Sequence, residues 1–544
     1  MRHITFVLAM IMLLTSCGSR KQADAIYYNA VIYTVDSVMS KAEAMAIKDG
    51  RVLKTGSERE LRKEFRASEW INLEGKTVYP GFFDAHCHFY GYGLGLQYAD
   101  LRGTHSQEEI IDRLKEKQKT HPTEWIMGRG WDQNLWKNTA FPDKALLDKA
   151  FPDKPVWLER IDGHAYFVNS RVLGLAGITS KTRIEGGTVL LNAKGEPSGV
   201  LIDNAMELIN PILPKPDSAT NTRALLEAQQ NCLAVGLTCV ADAGLDASTI
   251  SLISRLQEEN KLKLRYYAMI SPSEENIEKH LLNGPFNNGR LVISSVKLYA
   301  DGALGSRGAL LIKPYSDDPG SQGLLLHPPA LYERICSLAV QHGYQVNVHC
   351  IGDSANRMIL HIFAKFLQGK NDRRWRIEHA QVIAPEDFHL FGDYSIIPSV
   401  QTTHATSDMN WAGERLGPVR VKDAYAYQQL LQQNGWLPNG SDFPVEKINP
   451  ILGFYAAFSR KDLEGKPEGG FQSENALTRE QALRAMTIWA AKACFLEKTT
   501  GSLEPGKAAD FVVADRDMMT TAESQVPATL ILQTVIGGKV VYRK

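Results

Sequence analysis

The chain has 544 residues, with 44% hydrophobic and 22% charged side chains, an ordinary composition for a folded globular protein. Its 61 Lys and Arg residues balance 61 Asp and Glu residues, so nothing in the net charge of zero indicates a nucleic acid partner or a polybasic membrane patch. The length excludes a single small domain and fits a large domain of barrel size with one or two smaller ones.

The first residues have the pattern of an export signal. Arg2 precedes an apolar stretch at 4–14, which is too short to span a bilayer comfortably as a mature helix. The stretch ends in "LTSC", small residues before a cysteine that resemble a bacterial lipobox. We therefore expect residues 1–17 to be a lipoprotein signal, with lipidated Cys17 anchoring an exported protein in the periplasm or at the cell surface. An ordinary cleaved signal with a chance cysteine is the alternative.

Both ends of the remaining chain have the pattern of short strands. The stretch "MAIKDGRVLKTGS" alternates around Asp49-Gly50, which is a strong hairpin signal. Near the C-terminus, "ADFVVAD" and "LILQTVIGGKVVYRK" are strand runs, the second with a Gly-Gly turn. These two ends predict one small β domain made of residues 24–80 and 500–544, and separate end domains are the alternative.

The centre of the chain alternates strands with helices. A helical pattern covers 352–368, and another at 478–496 opens with the capping-box residues Thr478 and Gln481. The predicted strands are 78–86, 237–243, 262–270, 292–300, 344–350, 374–379, 394–401 and 436–441. Eight strands with helices between them fit a (β/α)8 TIM-type barrel, an α/β fold, better than an open sheet. We assign residues 81–101 and 216–499 to the barrel.

The gap between the first and second barrel strands is too long for one crossover. We therefore expect an inserted subdomain at 102–215. It has its own strand runs, "EWIMGRGW" and "KPVWLERIDGHAYFVNS", and a helix capped by Ser106 with Glu109.

The first barrel strand ends in an unusual way, in "GFFDAHCHFYG". Residues two apart on a strand share a face, so His86 and His88 point one way and Cys87 the other. Two imidazoles on one face at a strand end form half of a metal site. A pair of buried, hydrogen-bonded structural histidines is the alternative.

Other predicted barrel strands also end in, or carry, polar residues. The C-terminal ends of barrel strands converge on one mouth, and His349 and His379 are 30 residues apart, about one βαβ unit. The converging set is His86, His88, Lys297, His349, His379 and Asp442. Imidazole and carboxylate ligands suit zinc and related divalent ions, so the set indicates a dinuclear metal centre.

Lys297 is the exceptional member of this set, because an ammonium group cannot bind a metal ion. Its amine could react with carbon dioxide to give a carbamate that bridges two metals, which would explain a lysine inside an apolar strand. The alternative is an unmodified lysine paired with Asp301 beside a single metal. Asp442 also has an alternative role, as the cap of a helix entry.

Seven stretches carry a family resemblance: "PGFFDAHCH", "VKLYADGALGSRGA", "VHCIGD", "RIEHAQ", "QTTHATSDMNW", "NGSDFPV" and "GSLEPGKAADFVVAD". They run from about residue 25 to 544 and resemble the amidohydrolase superfamily, within it the extended branch that includes N-substituted formamide deformylase. The resemblance implies a metal barrel, a β-sandwich built from both termini and hydrolysis of amide-like C–N bonds. It implies that His86, His88 and Asp442 hold one metal, that His349 and His379 hold a second, and that carboxylated Lys297 bridges them.

Substrate contacts are also expected near the mouth and in the insert, at Trp131, Asp132, His164, Asp301, Arg307 and His404. A purely structural role is the alternative for each of them. A second copy of the chain, forming a homo-oligomer, is a further candidate partner.

The ligand set predicts a reaction. Two divalent ions, expected to be zinc, would share a water and lower its pKa towards neutrality, and the resulting hydroxide would attack the substrate carbonyl. Asp442 would take the proton and return it to the leaving nitrogen. The expected partner is a small amide-like molecule, with no nucleic acid and membrane contact only through the lipid anchor. Two alternatives stay open: an exported lipoprotein that binds ligands on an inactive barrel, and a mononuclear deaminase, lactone hydrolase or phosphoester hydrolase.

Overall fold

The structure is a computed structural model that describes residues 20–544. The expected signal segment and lipidated Cys17 lie outside the described residues. No helix within 20–544 combines the length and the apolar character needed to cross a membrane.

The N-terminal part of the described chain is mostly β-structure. Its strands are β1 (Lys21–Tyr28), β2 (Val31–Tyr33), β3 (Lys41–Ala42), β4 (Ala44–Lys48), β5 (Arg51–Gly56), β6 (Phe65–Asn72) and β7 (Thr77–Pro80). Helix α1 (Glu58–Glu64) precedes β6. Strands β4 and β5 form the antiparallel hairpin that the sequence predicts, and Asp49 and Gly50 have the positive φ values, 50° and 72°, that its tight turn needs.

The next segment starts the barrel and then leaves it. Strand β8 (Phe82–Cys87) is followed by helix α2 (Phe89–Gly95). Then come β9 (Ala99–Asp100), α3 (Gln107–Thr120), β10 (Ile126–Trp131), α4 (Ala145–Ala150), β11 (Val156–Arg160), β12 (Ala165–Val168), α5 (Ser170–Leu175), β13 (Gly187–Leu191) and β14 (Pro197–Asp203). Strands β9–β14 form a six-stranded sheet of their own, and Ser106 caps α3 by accepting the Glu109 N–H.

The barrel continues after this segment. Its elements are α6 (Ser218–Ala234), β15 (Leu237–Leu245), α7 (Ala247–Glu258), β16 (Arg265–Ile270), α8 (Glu274–Lys279), β17 (Phe286–Asn287), β18 (Leu291–Tyr299), α9 (Pro329–His342), β19 (Gln345–Cys350), α10 (Asp353–Leu367), β20 (Arg376–His379), α11 (Phe388–Asp393), β21 (Ile397–Ser399), α12 (Thr402–Asp408), α13 (Ala412–Arg420), α14 (Tyr427–Asn434) and α15 (Pro450–Ser459). Strands β8, β15, β16, β18, β19, β20 and β21 are parallel neighbours in that order, while β17 pairs antiparallel with β18.

The eighth predicted strand, 436–441, is not a regular strand in the structure. Asn439 makes a single parallel bridge with Val400, and its carbonyl accepts the Ala85 N–H at 3.3 Å. Pro438 has no N–H to give to a ladder, and Gly440 lies so close to β8 that a Cβ there would be 2.4 Å from the His86 nitrogen. The segment therefore closes the ring between β21 and β8 without forming a regular strand. The nearly closed parallel sheet fits the TIM-type barrel that the sequence predicts.

The C-terminal part contains α16 (Arg479–Ala485), α17 (Ile488–Ala493), β22 (Phe511–Ala514), β23 (Ile531–Ile536) and β24 (Lys539–Arg543). The capping box of Thr478 and Gln481 is present, but the predicted continuous helix 478–496 is wrong. The helix breaks at Thr487, whose φ and ψ are −138° and −99°, and the preceding carbonyl of Met486 accepts the Phe83 N–H of β8 at 2.9 Å. That carbonyl is therefore used by the barrel rather than by a helix.

Both ends of the chain contribute to the same sheet. Strands β24, β23 and β22 continue through β7, β2 and β3, and a separate four-stranded sheet has the order β5-β4-β1-β6. Tyr27 and Ile47 of the second sheet share a buried apolar cluster with Phe511 and Val535 of the first. The structure thus brings the two terminal segments together.

Candidate metal centre

The centre lies where β8 and the segment after Asn439 come together. Asp442 has a φ of 60°, and its Oδ1 lies 3.2 Å from His88 Nε2 and 3.5 Å from His86 Nε2. The three side chains can offer ligand atoms that all lie within 4.8 Å of one another. The structure therefore brings together the residues expected to hold the first metal.

A second group shares Asp442. His379, at the end of β20, has a φ of 73°, and its ring centroid lies 5.0 Å from that of His86 and 4.6 Å from that of His349. The ligand atoms that lie within 4.8 Å of one another here belong to His379, His404 and Asp442. His349 is adjacent, with its Nε2 3.4 Å from the Gly302 carbonyl. The structure thus adds His404, which we expected to contact substrate.

Lys297 lies fully buried beside these groups. Its Nζ is 3.4 Å from His86 Nε2, and burial lowers its pKa to about 8. The alternative partner, Asp301, instead accepts the N–H groups of Ile351 at 3.0 Å and Gly352 at 2.8 Å. Among residues 20–544, no ion pair joins Lys297 to Asp301.

The donor atoms fit divalent cations. Burial, with the nearby charge of Lys297, lowers the pKa of His86 to about 4, and burial also holds the pKa values of His349 and His379 well below normal. These rings are therefore neutral and can offer lone pairs. Within the described chain, the buried Nδ1 of His379 has no hydrogen-bond partner, which is rare unless something else satisfies it. Imidazole and carboxylate together suit zinc.

Glu378 is a site residue that the sequence reasoning missed. Its Oε2 lies 2.5 Å from His86 Nδ1, and its Oε1 lies 2.6 Å from Nε of Arg376. Burial would raise the pKa of Glu378, but the charge of Arg376 and the hydrogen bond with His86 hold it well below its usual range. The available signal was a pair of opposite charges within the short buried strand "RIEH", directly before a candidate ligand.

His404 connects Asp442 to a second carboxylate. Its Nε2 is 3.4 Å from Asp442 Oδ2 and its Nδ1 is 3.2 Å from Glu446 Oε1. Burial alone would lower the pKa of His404, but the hydrogen bonds to Asp442 and Glu446 raise it to about 10. The same contact with His404, together with His88, holds the pKa of Asp442 well below normal although burial opposes this. No local pattern in the sequence pointed to Glu446.

A cavity of about 300 Å³ opens over these groups. Asp132, His164 and His404, three of the expected substrate contacts, line it, as do Lys297 and Asp442. Further lining comes from the apolar side chains of Tyr299, Leu304 and Trp411. The cavity therefore has a polar floor with part of its wall apolar.

Three expected substrate contacts do not line the cavity. Trp131 packs in the core of the β9–β14 sheet and donates its indole N–H to the Leu158 carbonyl at 3.3 Å. The Asp301 carboxylate accepts hydrogen bonds from the backbone N–H groups of Ile351 and Gly352. Arg307 pairs with Asp317 at 2.8 Å. Trp131 therefore supports the core of the sheet, while Asp301 and Arg307 support the loop after β18.

The wall formed by the 102–215 segment is charged. Arg160, which is 2% exposed, donates from Nη2 to Asp132 at 2.6 Å and from Nη1 to Asp162. All three line the cavity. Because one guanidinium is paired with two carboxylates, these three side chains give the wall one excess negative charge.

Comparisons with known proteins point in one direction. A family model described as "Amidohydrolase family" matches residues 69–542. The protein LONG AFTER FAR-RED 3 of Arabidopsis thaliana is 35% identical over 538 residues, 96% of this chain and 92% of that protein. N-substituted formamide deformylase of Arthrobacter pascens is 25% identical over 557 residues, 96% of this chain and 98% of that protein.

A solved structure is also similar. The crystal structure of an uncharacterised metal-dependent hydrolase from Pyrococcus horikoshii has a TM-score of 0.75 and 30% sequence identity. The match covers 92% of this chain and 99% of that one. The likeness therefore extends over most of both chains.

Proposed function

Because this chain belongs to the amidohydrolase family and is a metal-dependent hydrolase, we propose that it cleaves an amide-like, non-peptide C–N bond in a small molecule. The observation that carries the proposal is the cluster of histidine imidazoles around the Asp442 carboxylate at the floor of the cavity. The similarity to a protein named N-substituted formamide deformylase supports the choice of bond.

We assign two divalent ions, preferably zinc, to this centre. His86, His88 and Asp442 would hold one, and His349 and His379 the other. Carboxylated Lys297 would bridge them. When bound, such ions supply Lewis acidity, which lowers the pKa of a water and polarises a carbonyl group.

Asp442 is the proton shuttle in this proposal. Its low pKa keeps it as the carboxylate, the form that can accept a proton from the attacking water. The protonated Asp442 carboxyl group then returns the proton to the leaving nitrogen. His404 and His88 hold the carboxylate in place from two sides, and Glu378 fixes the orientation of His86.

The cavity supports a small substrate. A volume of about 300 Å³ is at the small end of ligand pockets. Tyr299, Leu304 and Trp411 offer apolar contacts to an acyl or amine substituent, while Asp132 and His164 offer polar ones.

A substrate panel tests the bond type. Metal-loaded protein is assayed with formanilide, acetanilide and simple aliphatic amides, beside a lactone and a phosphate diester. We expect turnover of one or more C–N probes that is lost on chelation and restored by zinc. Turnover of the lactone or the phosphate diester alone would contradict the proposed bond type.

We further propose a domain division. Residues 24–80 and 500–544 form a β-sandwich, which the shared buried cluster of the two terminal sheets supports. Residues 102–215 form the inserted subdomain, supported by the separate sheet β9–β14 and its own apolar cluster. Limited proteolysis should cut first near residues 102 and 215, and early cuts confined to the barrel would contradict this division.

Export as a lipoprotein anchored through Cys17 is also a proposal, supported by the pattern of residues 1–17. Cys17→Ser should move the protein from the membrane fraction to the soluble fraction and abolish labelling with a fatty-acid analogue. Unchanged membrane association and labelling would contradict the anchor.

A further inference from the structure

Asp84 joins the two chain segments that carry His86 and Asp442. It lies on β8 two residues before His86 and is 2% exposed. Its Oδ1 accepts the N–H groups of His86 at 3.2 Å and Ser441 at 3.0 Å, and its Oδ2 accepts the Ser441 hydroxyl at 2.6 Å. One carboxylate therefore holds β8 and the residue directly before Asp442 together.

The Asp84 carboxylate takes the place of a backbone acceptor. Ser441 lies in the segment that closes the ring without forming a regular strand, and its buried N–H needs an acceptor that a regular ladder would have supplied. Gly440 leaves room for this contact, because a Cβ there would be 2.9 Å from Asp84 Oδ1. The irregular segment is therefore held against β8 by a side chain.

Asp442 has a backbone conformation that needs such support. Its φ of 60° is uncommon for a residue with a side chain, and such conformations persist where the surrounding structure holds them. Ser441 Oγ donates to Asp84 and also accepts the Phe443 N–H at 3.1 Å, so one hydroxyl ties the residues on both sides of Asp442. The Asp442 N–H itself donates to the His86 carbonyl at 2.8 Å. These contacts set the direction in which the Asp442 side chain leaves the backbone.

Resting on the proposed function, we propose that Asp84 and Ser441 form a clasp that positions the Asp442 carboxylate for its role at the metal centre. Both are positioning residues, because their side chains act through Asp442 rather than on the substrate. Misplacing a reacting group by about 1 Å can cost about 10²-fold in rate, so a small loss of alignment is measurable.

Ser441→Ala tests the clasp by removing the hydroxyl and both of its hydrogen bonds. With the best amide of the panel, kcat should fall by about 10²-fold. KM should change little, because the cavity lining is unaltered. Ser198→Ala is the matched control: Ser198 is 6% exposed and Ser441 5%, and the Ser198 hydroxyl likewise accepts the N–H two residues further on, that of Val200 at 3.2 Å. The control should keep the wild-type kcat, and near-normal kcat in Ser441→Ala would overturn the clasp.

The spectrum of the metal centre gives a readout that a merely structural role would not move. With cobalt(II) in place of zinc, the visible absorption bands depend on the geometry of the ligands. Ser441→Ala and Asp84→Asn should both change these bands at equal cobalt content, as Asp442→Asn does. Asp510→Asn is the control, because Asp510 is also 2% exposed and its loss should lower stability without changing the bands. If Ser441→Ala does not fold, Asp84→Asn, which loses the acceptor of the Ser441 hydroxyl, carries both measurements.

The two residues of the clasp should act as a unit. In the double variant Asp84→Asn/Ser441→Ala, the loss of kcat should be close to the larger single loss, because either change opens the same clasp. Single losses that multiply in the double variant, or cobalt bands in both single variants that match the wild type, would overturn the clasp alone. A wild type that binds metal but hydrolyses no member of the amide panel would overturn the proposed function, and changed cobalt bands in the variants of that protein would still support the clasp.

Discussion

His86 Nδ1 lies 2.5 Å from Glu378 Oε2, and both side chains are fully buried. The contact fixes the imidazole so that Nε2 points towards Asp442 and Lys297. Carboxylates that hold the second nitrogen of a metal-binding histidine raise its basicity and fix its tautomer. Arg376 in turn neutralises the other oxygen of Glu378.

Glu378→Gln should weaken metal binding by about 10- to 100-fold, the usual cost of losing such a supporting carboxylate. The measurement is a zinc titration in competition with a chromogenic chelator. Glu386→Gln, which changes a side chain that is 66% exposed, is the matched control and should bind zinc as the wild type does. Equal affinity in Glu378→Gln and the wild type would remove the supporting role.

Asp442→Asn should retain bound metal and lose most turnover. An amide cannot accept the proton, and general acid–base groups contribute about 10²- to 10⁴-fold to rate. The four predicted histidine ligands remain, so elemental analysis should still find metal. Asp393→Asn, at a side chain 61% exposed, is the control for the change of charge. Near-normal kcat in Asp442→Asn would rule out the shuttle.

Lys297 should be carboxylated in metal-loaded protein. Carbon dioxide reacts with the neutral amine, and the pKa of about 8 means that this form grows as the pH rises through 8. Reconstitution of metal-free protein with zinc and bicarbonate should therefore be faster at pH 9 than at pH 7. Protein prepared in ¹³C-bicarbonate should give a carbamate NMR signal that Lys297→Met lacks. A wild-type protein without this signal would contradict the bridge.

The ion pair between Arg265 and Asp510 should couple the barrel to the C-terminal segment. Arg265 Nε on β16 lies 2.5 Å from Asp510 Oδ2, and the Asp510 side chain is fully buried. Asp510→Asn leaves the guanidinium without its charge partner and should lower the free energy of unfolding by about 3–5 kcal/mol. Denaturant unfolding measures this, with Asp372→Asn, at a 78% exposed side chain, as control. Coincident unfolding curves for Asp510→Asn and the wild type would contradict the coupling.

Most barrel strands could be predicted because an apolar run that ends in a polar residue is a local pattern. Strand β18, for example, is a buried run around Lys297. The helix break at Thr487 and the loss of regular strand near Asn439 could not be predicted from the sequence. Both depend on hydrogen bonds to β8, which is hundreds of residues away. Local capping residues predict where a helix starts, but they do not predict which backbone carbonyls accept hydrogen bonds from barrel strands.

The positions of the candidate ligands at strand ends predict that they lie close together. The carboxylates that hold site histidines in place could not be predicted in this way. Glu378 and Asp203 contact His86 and His164, which are 292 and 39 positions away. No spacing rule links such pairs, since their distance is set by barrel closure and by the packing of the 102–215 segment. Trp131 was expected to contact substrate, with a structural role as the alternative, and its side chain is buried in the core of the β9–β14 sheet.

The most direct test of the account is the metal content per chain, measured by elemental analysis of protein purified without chelators. We predict about two zinc-like ions per chain, as the bridged centre of histidines, Asp442 and carboxylated Lys297 requires. A single tightly bound ion would contradict the bridge. No bound metal, with none taken up when zinc and bicarbonate are added back, would contradict the metal centre and the hydrolytic function built on it.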